Sequence, residues 1–305
     1  MRIVFMGTPE FAVPSLQILV ENGFNVVGVV TAPDKPQGRG KKMRGSAVKE
    51  YAVSKGLKIL QPTNLKSEEF LETLRALQAD LQIIVAFRML PEVVWSMPPK
   101  GTFNLHGSLL PQYRGAAPIN WAIINGEVET GVTTFFLKHE IDTGNIIFQE
   151  KEEILPEDNV RTLYERLMVL GAKLVLKTVK AIEEDNYTLS EQGNSGDLKS
   201  APKIHKETCK IDWALNGNQV VDFVRGLSPY PSAWAVFNEK KYKIYKVSKF
   251  DANDSYELAA VGDYQVIDKK QILVKVADGL VSIDELQPEG KRRMTAEDFL
   301  RGNQF

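Results

Sequence analysis

Residues 81–87, LQIIVAF, form a run of apolar side chains broken only by Gln82. A strand with one face in water alternates apolar with polar residues, so a strand apolar at successive positions has to be covered on both faces. The run therefore predicts a central strand of a parallel sheet. The segments around it agree. Arg2–Met6 is apolar and β-branched enough for a first strand, and Gly7-Thr8-Pro9 turns from it into a helical segment, Glu10–Val20, with proline suited to the first turn. Asn25–Thr31 reads as a second strand, Ser46–Lys55 as a helix, Leu57–Leu60 as a short strand and Ser67–Gln78 as a helix with acidic residues in its first turn. Thr102–His106 and Thr130–Leu137 follow as strands. Strands alternating with helices of this length predict an α/β fold built on a doubly wound, mostly parallel sheet. Ligands of such sheets bind beyond the carboxyl ends of the strands.

The pattern changes twice downstream. Apolar positions three or four apart over Asn159–Asp185 make a long amphipathic helix that would close a first domain spanning 1–188. Residues 189–208, rich in Gly, Ser and Lys, read as a linker. Over 209–305, one helix around Asn218–Gly226 is followed by short runs, Ala233–Phe237, Tyr242–Val247, Tyr264–Ile267, Ile272–Val276 and Leu280–Leu286, which predict a small carboxyl-terminal β-barrel.

Several function classes fall away on composition. The apolar and charged fractions, 43% and 25%, are those of an ordinary globular protein, and the apolar runs are strand-length, so no membrane span is expected. The amino terminus MRIVFMG lacks the long apolar region of a signal peptide, and a cytoplasmic location is expected. Cys209 is the only cysteine, and His106, His139 and His205 make no zinc signature, so neither a disulfide nor a metal is expected. Gly-x-Gly-x-x-Gly and Gly-x-x-x-x-Gly-Lys-Ser/Thr are absent, which removes support for dinucleotide or P-loop chemistry.

The chemistry-bearing block is Asn104–Ile147. Asn104 and His106 share one face of a strand, and Asp142 follows in an Asp-Thr-Gly turn. An amide can donate to a developing oxyanion, an imidazole can pass a proton, and a carboxylate can orient that imidazole or accept a proton through water. The set suits attack on a carbonyl. No protein nucleophile accompanies it, since Ser108 lies on the same short segment as His106 and no Gly-x-Ser-x-Gly elbow occurs. Attack by a substrate amine is the simpler reading, although turn caps and a satisfied core histidine would leave the same spacing.

Charge is concentrated locally. Between Asp34 and Lys49 stand Lys35, Arg39, Lys41, Lys42, Arg44 and Lys49 against one acid, among several Pro and Gly. This reads as a long, mobile cationic loop able to contact phosphates, or as an ordinary solvated loop. Lys240, Lys241, Lys243, Lys246 and Lys249 cluster on one expected hairpin with Tyr242 and Tyr245, and Lys291, Arg292 and Arg293 lie in the tail. Basic, aromatic-bearing strands of small barrels commonly bind nucleic acid.

With these segments in view, the chain resembles the methionyl-tRNA formyltransferase family of formyltetrahydrofolate-dependent enzymes. RIVFMGTPEFAVPSL, the SLLPQYRGAAPINWAI core of the Asn104–Ile147 block, APKIHKE with IDW, and LQPEGKRRMTAEDFLRG carry the resemblance over almost the whole length. It implies a Rossmann-like formyltransferase domain, an OB-like barrel, and transfer of a formyl group from 10-formyltetrahydrofolate to the α-amine of initiator methionyl-tRNA; a monomer is expected because no apolar helix demands a partner. It also implies that Asn104 and His106 stabilise the formyl oxygen, while Asp142 positions His106 and a water that takes the amine proton. Ser108, Leu109, Leu110, Pro111 and the strand end Phe87, Arg88, Met89, Leu90 would shape the folate pocket. Lys35, Arg39, Lys41, Lys42 and Arg44 would grip the acceptor stem, and Lys240, Lys241, Lys243 and Lys246 the tRNA body. Many relatives have Tyr-Gly where this chain has Phe87-Arg88, which puts a charge beside the expected folate site. Glycinamide ribonucleotide or sugar-nucleotide formyltransferases, a formyl-folate hydrolase, and an RNA-binding module with a decayed enzymatic domain are the competing readings.

Overall fold

The computed structural model describes residues 1–37, 42–193, 196–250, 258–303 and 305. Its first half follows the expected alternation: β1 (Arg2–Gly7), α1 (Val13–Glu21), β2 (Asn25–Val30), β3 (Lys35–Gln37), β4 (Lys42–Arg44), α2 (Ala47–Ser54), β5 (Ile59–Leu60), α3 (Glu68–Ala76), β6 (Leu81–Val85), α4 (Glu92–Trp95), β7 (Thr102–His106) and β8 (Arg114–Gly115). There follow α5 (Pro118–Ile124), β9 (Glu129–Phe136), β10 (Ile146–Glu153), α6 (Val160–Glu183) and β11 (Ser200–Ala201). The chain continues through α7 (Gly217–Leu227), β12 (Ala233–Phe237), β13 (Lys240–Phe250), β14 (Tyr264–Ile267), β15 (Gln271–Val276), β16 (Gly279–Pro288), β17 (Met294–Thr295) and α8 (Ala296–Leu300).

Seven strands form the main sheet in the order β10-β9-β7-β6-β1-β2-β5. Pairs from β5 through β7 are parallel, and β9 runs antiparallel to β7. β6 lies inside the sheet, and all five of its residues are buried. Val4, Met6 and Ile84 face α3 through Phe70, Leu71 and Leu74, while Ile3, Phe5 and Ile83 are sealed on the opposite face. Double coverage is what the apolar run required. Gln82, its one polar member, is 1% exposed and accepts a hydrogen bond from Thr102 Oγ1. On β7, α6 comes so close at Gly171 that a Cβ there would stand 2.7 Å from Leu105 Cδ2.

The second sheet is antiparallel, ordered β12-β13-β16-β15-β14, with β17 on β16. Phe237 on β12 and Tyr264 on β14, at opposite ends of that order, hold their rings 5.2 Å apart with Phe305 against both. The sheet is thus curled upon itself around a core of Val220, Val224, Ile244, Ile272, Val281 and Ile283. Helix α7 starts with a capping box between Asn216 and Gln219.

The compact units do not divide the chain at one point. One comprises Met1–Gly115, Gly131–Glu152 and Tyr164–Ser200, the other Ala116–Thr130, Glu153–Leu163 and Ala201–Phe305. Helix α5 joins the second unit because it packs on α7, where Asn120 donates to the Gly226 carbonyl. Segment 153–163 joins it because Arg225 donates to the carbonyls of Leu155 and Asp158. The stretch read as a linker is tied down: Ser190 bridges Ile146, and the Lys199 carbonyl accepts from Tyr113 N. The region read as a long loop contains the β3–β4 hairpin, and Arg39 and Lys41 lie outside the described residues.

Candidate active site

The site is built where β7 ends. Asn104 and His106 stand on one face of that strand, opposite Phe135 and Thr133 of β9. His106 is 6% exposed. Its Nε2 lies 2.9 Å from the Tyr113 carbonyl oxygen, and since a carbonyl only accepts, Nε2 carries the proton. Nδ1 is thereby the nitrogen turned to the site. It faces Asp142 Oδ2 at 3.9 Å, within ion-pair reach but beyond a direct hydrogen bond. No hydrogen bond ties the Asn104 amide to another described residue, and the residue is half-buried. A donor held on a rigid strand and left unused is what a ligand oxygen requires.

Asp142 owes its place to backbone geometry. Its φ is +56°, in the left-handed region that costs a non-glycine residue about 1–2 kcal/mol. Gly144, two residues on, approaches Phe136 so closely that a Cβ would lie 1.5 Å from the Phe136 carbonyl oxygen. The carboxylate is then fixed by Gly115 N, which donates to Oδ2 at 3.0 Å. Ala86 after β6 and Tyr113 beside His106 also have positive φ, at +46° and +59°.

The Ser108-Leu109-Leu110-Pro111 loop is cemented by a polar network that spacing does not reveal. Thr133 Oγ1 donates to the Ser108 carbonyl and accepts from Leu110 N and Gln149 Nε2, and Gln149 also donates to the Leu110 carbonyl. The buried Thr133 hydroxyl is saturated. Ser108 Oγ donates to the Gln112 carbonyl at 2.7 Å, so this hydroxyl is committed and is no nucleophile. Ser108 and Leu110 are sealed, which leaves the half-buried Leu109 and Pro111 as the loop's accessible side chains.

The Phe87–Leu90 stretch divides in the same way. Phe87 and Leu90 pack on the α3 core, while Met89 is 73% exposed. Arg88 is exposed, and its guanidinium donates to the carbonyls of Pro62 and Thr63. Its charge therefore staples the segment after β5 and does not lie free beside the site. Arg88, Met89 and Leu90 line a cleft of about 1040 Å³ with residues 63–66 and 91–93, and none of Asn104, His106 or Asp142 lines it.

Among the expected phosphate contacts, Lys35, Lys42 and Arg44 are exposed on the β3–β4 hairpin. Its base is anchored by Asp34, which accepts from Lys49 and Gln61. Gln61, and after it Lys49, hold the Asp34 carboxyl below its ordinary range. On β13, Lys241 and Lys243 share the outer face with Trp234, and Lys241 Nζ sits 3.6 Å above the Trp234 ring. Burial, then the neighbouring Lys206, pushes the Lys241 ammonium below its usual range. Lys240 stands at the strand's start, and Lys246 follows a bulge. Tyr242 and Tyr245, which the sequence groups with these lysines, are buried, because strand alternation turns Tyr242 inward and the bulge does the same for Tyr245. Among the described residues no helix is long and apolar enough to cross a membrane, and no cluster of His, Cys, Asp and Glu is arranged to hold a metal. His139 pairs with Glu92 on the surface, and His205 caps a turn through its backbone.

A doubly wound sheet carries an amide and an imidazole at the end of β7 and a carboxylate on the loop between β9 and β10, with no free protein nucleophile among the described residues beside them, the arrangement of an enzyme acting on a carbonyl. Comparison with known proteins specifies the group. Residues 1–179 match the family model for formyl transferase, and residues 203–304 that for the formyl transferase carboxyl-terminal domain. The chain is 54% identical to a methionyl-tRNA formyltransferase of Bacteroides thetaiotaomicron, over 99% of this chain and 95% of that one. It is 51% identical to one of Flavobacterium johnsoniae, over 100% and 97%. A sugar 3N-formyl transferase, WlaRD, solved with dTDP and 5-N-formyl-THF, shares the fold with a TM-score of 0.68 at 20% identity, over 96% of this chain and 99% of that one. HypX from Aquifex aeolicus, solved with tetrahydrofolic acid, superposes with a TM-score of 0.65 at 17% identity, over 98% of this chain and 47% of that one. The chain belongs to the methionyl-tRNA formyltransferase family of formyl transferases.

Proposed function

We propose that this protein transfers a formyl group from 10-formyltetrahydrofolate to the α-amine of methionine esterified to initiator tRNA. The observation that carries the chemical half is the pair His106–Asp142 at 3.9 Å, with Asn104 on the same face of the strand as His106 and Ser108 already committed, which supports a substrate atom as the attacker. Near-complete coverage of relatives at 51–54% identity supports methionyl-tRNA as the acceptor.

The folate supplies a formyl carbon activated by its bond to a nitrogen leaving group. The chain's residues do the rest. The Asn104 amide and Nδ1–H of a protonated His106 donate to the formyl oxygen as negative charge builds there, the kind of aimed donor whose loss typically costs about 10²–10³ in turnover. With Nε2 occupied by the Tyr113 carbonyl, Nδ1 alone can serve. Asp142, held at 3.9 Å, stabilises the imidazolium and leaves space for a water that takes the amine proton as the new nitrogen–carbon bond forms. The carbon–nitrogen bond to the folate breaks, and the departing nitrogen takes up a proton. Leu109, Pro111, Met89 and the cleft beside Arg88–Leu90 offer the folate apolar walls. Lys35, Lys42 and Arg44, with Lys241 and Lys243, offer cations to the phosphates of the RNA. The reading carries with it a monomer working in the cytoplasm, where a lone, buried cysteine is at home.

The test is to incubate methionyl-tRNA with the protein and 10-formyltetrahydrofolate and resolve the product on an acid gel. A mobility shift with methionyl-tRNA and none with free methionine is expected. Equal use of free methionine would remove the tRNA half of the reading, and full turnover by His106→Ala would remove the mechanism.

A further inference from the structure

Gln192 lies in the stretch between the last helix of the first unit and the second unit, far in sequence from the trio. Its amide is nevertheless spent entirely on the active site. Nε2 donates to the carbonyl oxygens of Asp142 and Gly144, both at 2.8 Å, and Oε1 accepts from Arg114 Nε at 2.9 Å and Arg114 Nη2 at 2.7 Å. Two donors and two lone pairs are all that a carboxamide has. The arrangement also fixes its orientation, since the opposite flip would set an amide NH2 against a guanidinium and an oxygen against two carbonyls.

These bonds close a small circuit. Arg114 is followed by Gly115, whose N–H holds Asp142 Oδ2. The β8 residues therefore grip Asp142 twice, at the carboxylate directly and at the backbone through Gln192. The gripped backbone is the strained one, with φ of +56°, which would relax if its carbonyls were released. Across the site the same downstream stretch holds Tyr113, whose N–H donates to the Lys199 carbonyl at 2.7 Å and whose own carbonyl holds His106.

We propose that Gln192 is a positioning residue for formyl transfer, one that sets the left-handed backbone of Asp142 so that its carboxylate faces Nδ1 of His106. The inference rests on the formyl-transfer reading above. Gln192 touches no reacting atom, so its removal acts on kcat. Gln192→Met keeps the length and loses the amide. It is expected to lower kcat about 10- to 100-fold through an ångström-scale displacement of Asp142. KM for both substrates should stay within about 3-fold, as when an interaction with uniform binding is untouched. Gln192→Glu keeps the partner of Arg114 but sets a carboxylate oxygen against two carbonyls, and is expected to be slower still. Arg114→Met combined with Gln192→Met should lose no more than Gln192→Met alone, since Arg114 acts through the same amide.

The experiment measures steady-state formylation by these variants alongside thermal melts and the ¹⁵N resonances of His106 in the whole protein. A kcat loss with KM held, non-additive with Arg114, and a shifted Nδ1 resonance are the expected results. Unchanged kcat, a loss residing wholly in KM, or additive effects of Arg114 and Gln192 would overturn the assignment. Should the wild-type protein fail to formylate methionyl-tRNA, the functional reading falls. The Nδ1 resonance then still decides the positioning claim, an unshifted signal in Gln192→Met refuting it.

Discussion

Nδ1 of His106 and Oδ2 of Asp142 stand 3.9 Å apart, an ion-pair distance that leaves no direct hydrogen bond. The gap is kept by restraints on both sides, the Tyr113 carbonyl behind the imidazole and Gly115 N–H behind the carboxylate. Substitution of either partner is expected to act on the chemical step. His106→Ala and Asp142→Asn should each lower single-turnover formylation by about 10²–10⁴, the range for a positioned proton-transfer group, with tRNA binding retained. Loss of tRNA binding in either variant would instead mark the pair as structural.

Thr133 is buried and its hydroxyl makes three hydrogen bonds that hold the Ser108–Pro111 loop to β9. Thr133→Val keeps the shape and orphans the Ser108 carbonyl and Leu110 N–H. A loss of about 1–3 kcal/mol in urea unfolding is expected from leaving buried polar groups unpaired. Turnover should fall as well, because the loop bears the carbonyl of Ser108 two residues from His106.

Asp284 supplies a pH-dependent test in the second unit. Burial raises its carboxyl pKa, against the lowering effect of hydroxyls from Ser248 and Ser282. A native pKa above the unfolded one means the folded state binds the proton more tightly. The ionised form then costs stability, fully above the native pKa and not at all below the unfolded value of about 3.9. Asp284→Asn should therefore raise Tm at pH 7, with the gain shrinking to nothing as pH falls through the carboxylate range. A gain that persisted at pH 3 would contradict the assignment.

The β3–β4 hairpin exposes Lys35, Lys42 and Arg44 on a base tied by Asp34, Lys49 and Gln61. Replacing the three cations by alanine is expected to raise Kd for methionyl-tRNA and to make log K against log salt shallower by about 0.7–0.9 for each phosphate that is no longer neutralised. Turnover at saturating tRNA should change little. Filter binding at several salt concentrations checks both.

Much of the fold was legible because periodicity is local. The run 81–87 announced a strand covered on both faces, and Thr102–His106, Ala233–Phe237 and Tyr264–Ile267 appear with the bounds that alternation predicts. Ser46, placed inside the expected helix, stands one residue before it as its N-cap, its side chain accepting from Lys49 N. β10 is not legible in the sequence because its second half, Glu150–Glu153, is wholly charged, and α5 is a short helix of mostly apolar residues without the periodicity that marks one.

The amino-acid sequence by itself determined the α/β order, the antiparallel second sheet, and the face shared by Asn104 and His106, since each depends on side chains two to four positions apart. Only the tertiary structure decided how the site is held. Thr133 reaches Ser108 across 25 residues, Gln149 reaches Leu110 across 39, and Gln192 reaches Asp142 across 50. A hydrogen bond between such residues follows from where two strands and a returning segment are packed, and no spacing along the chain encodes that distance.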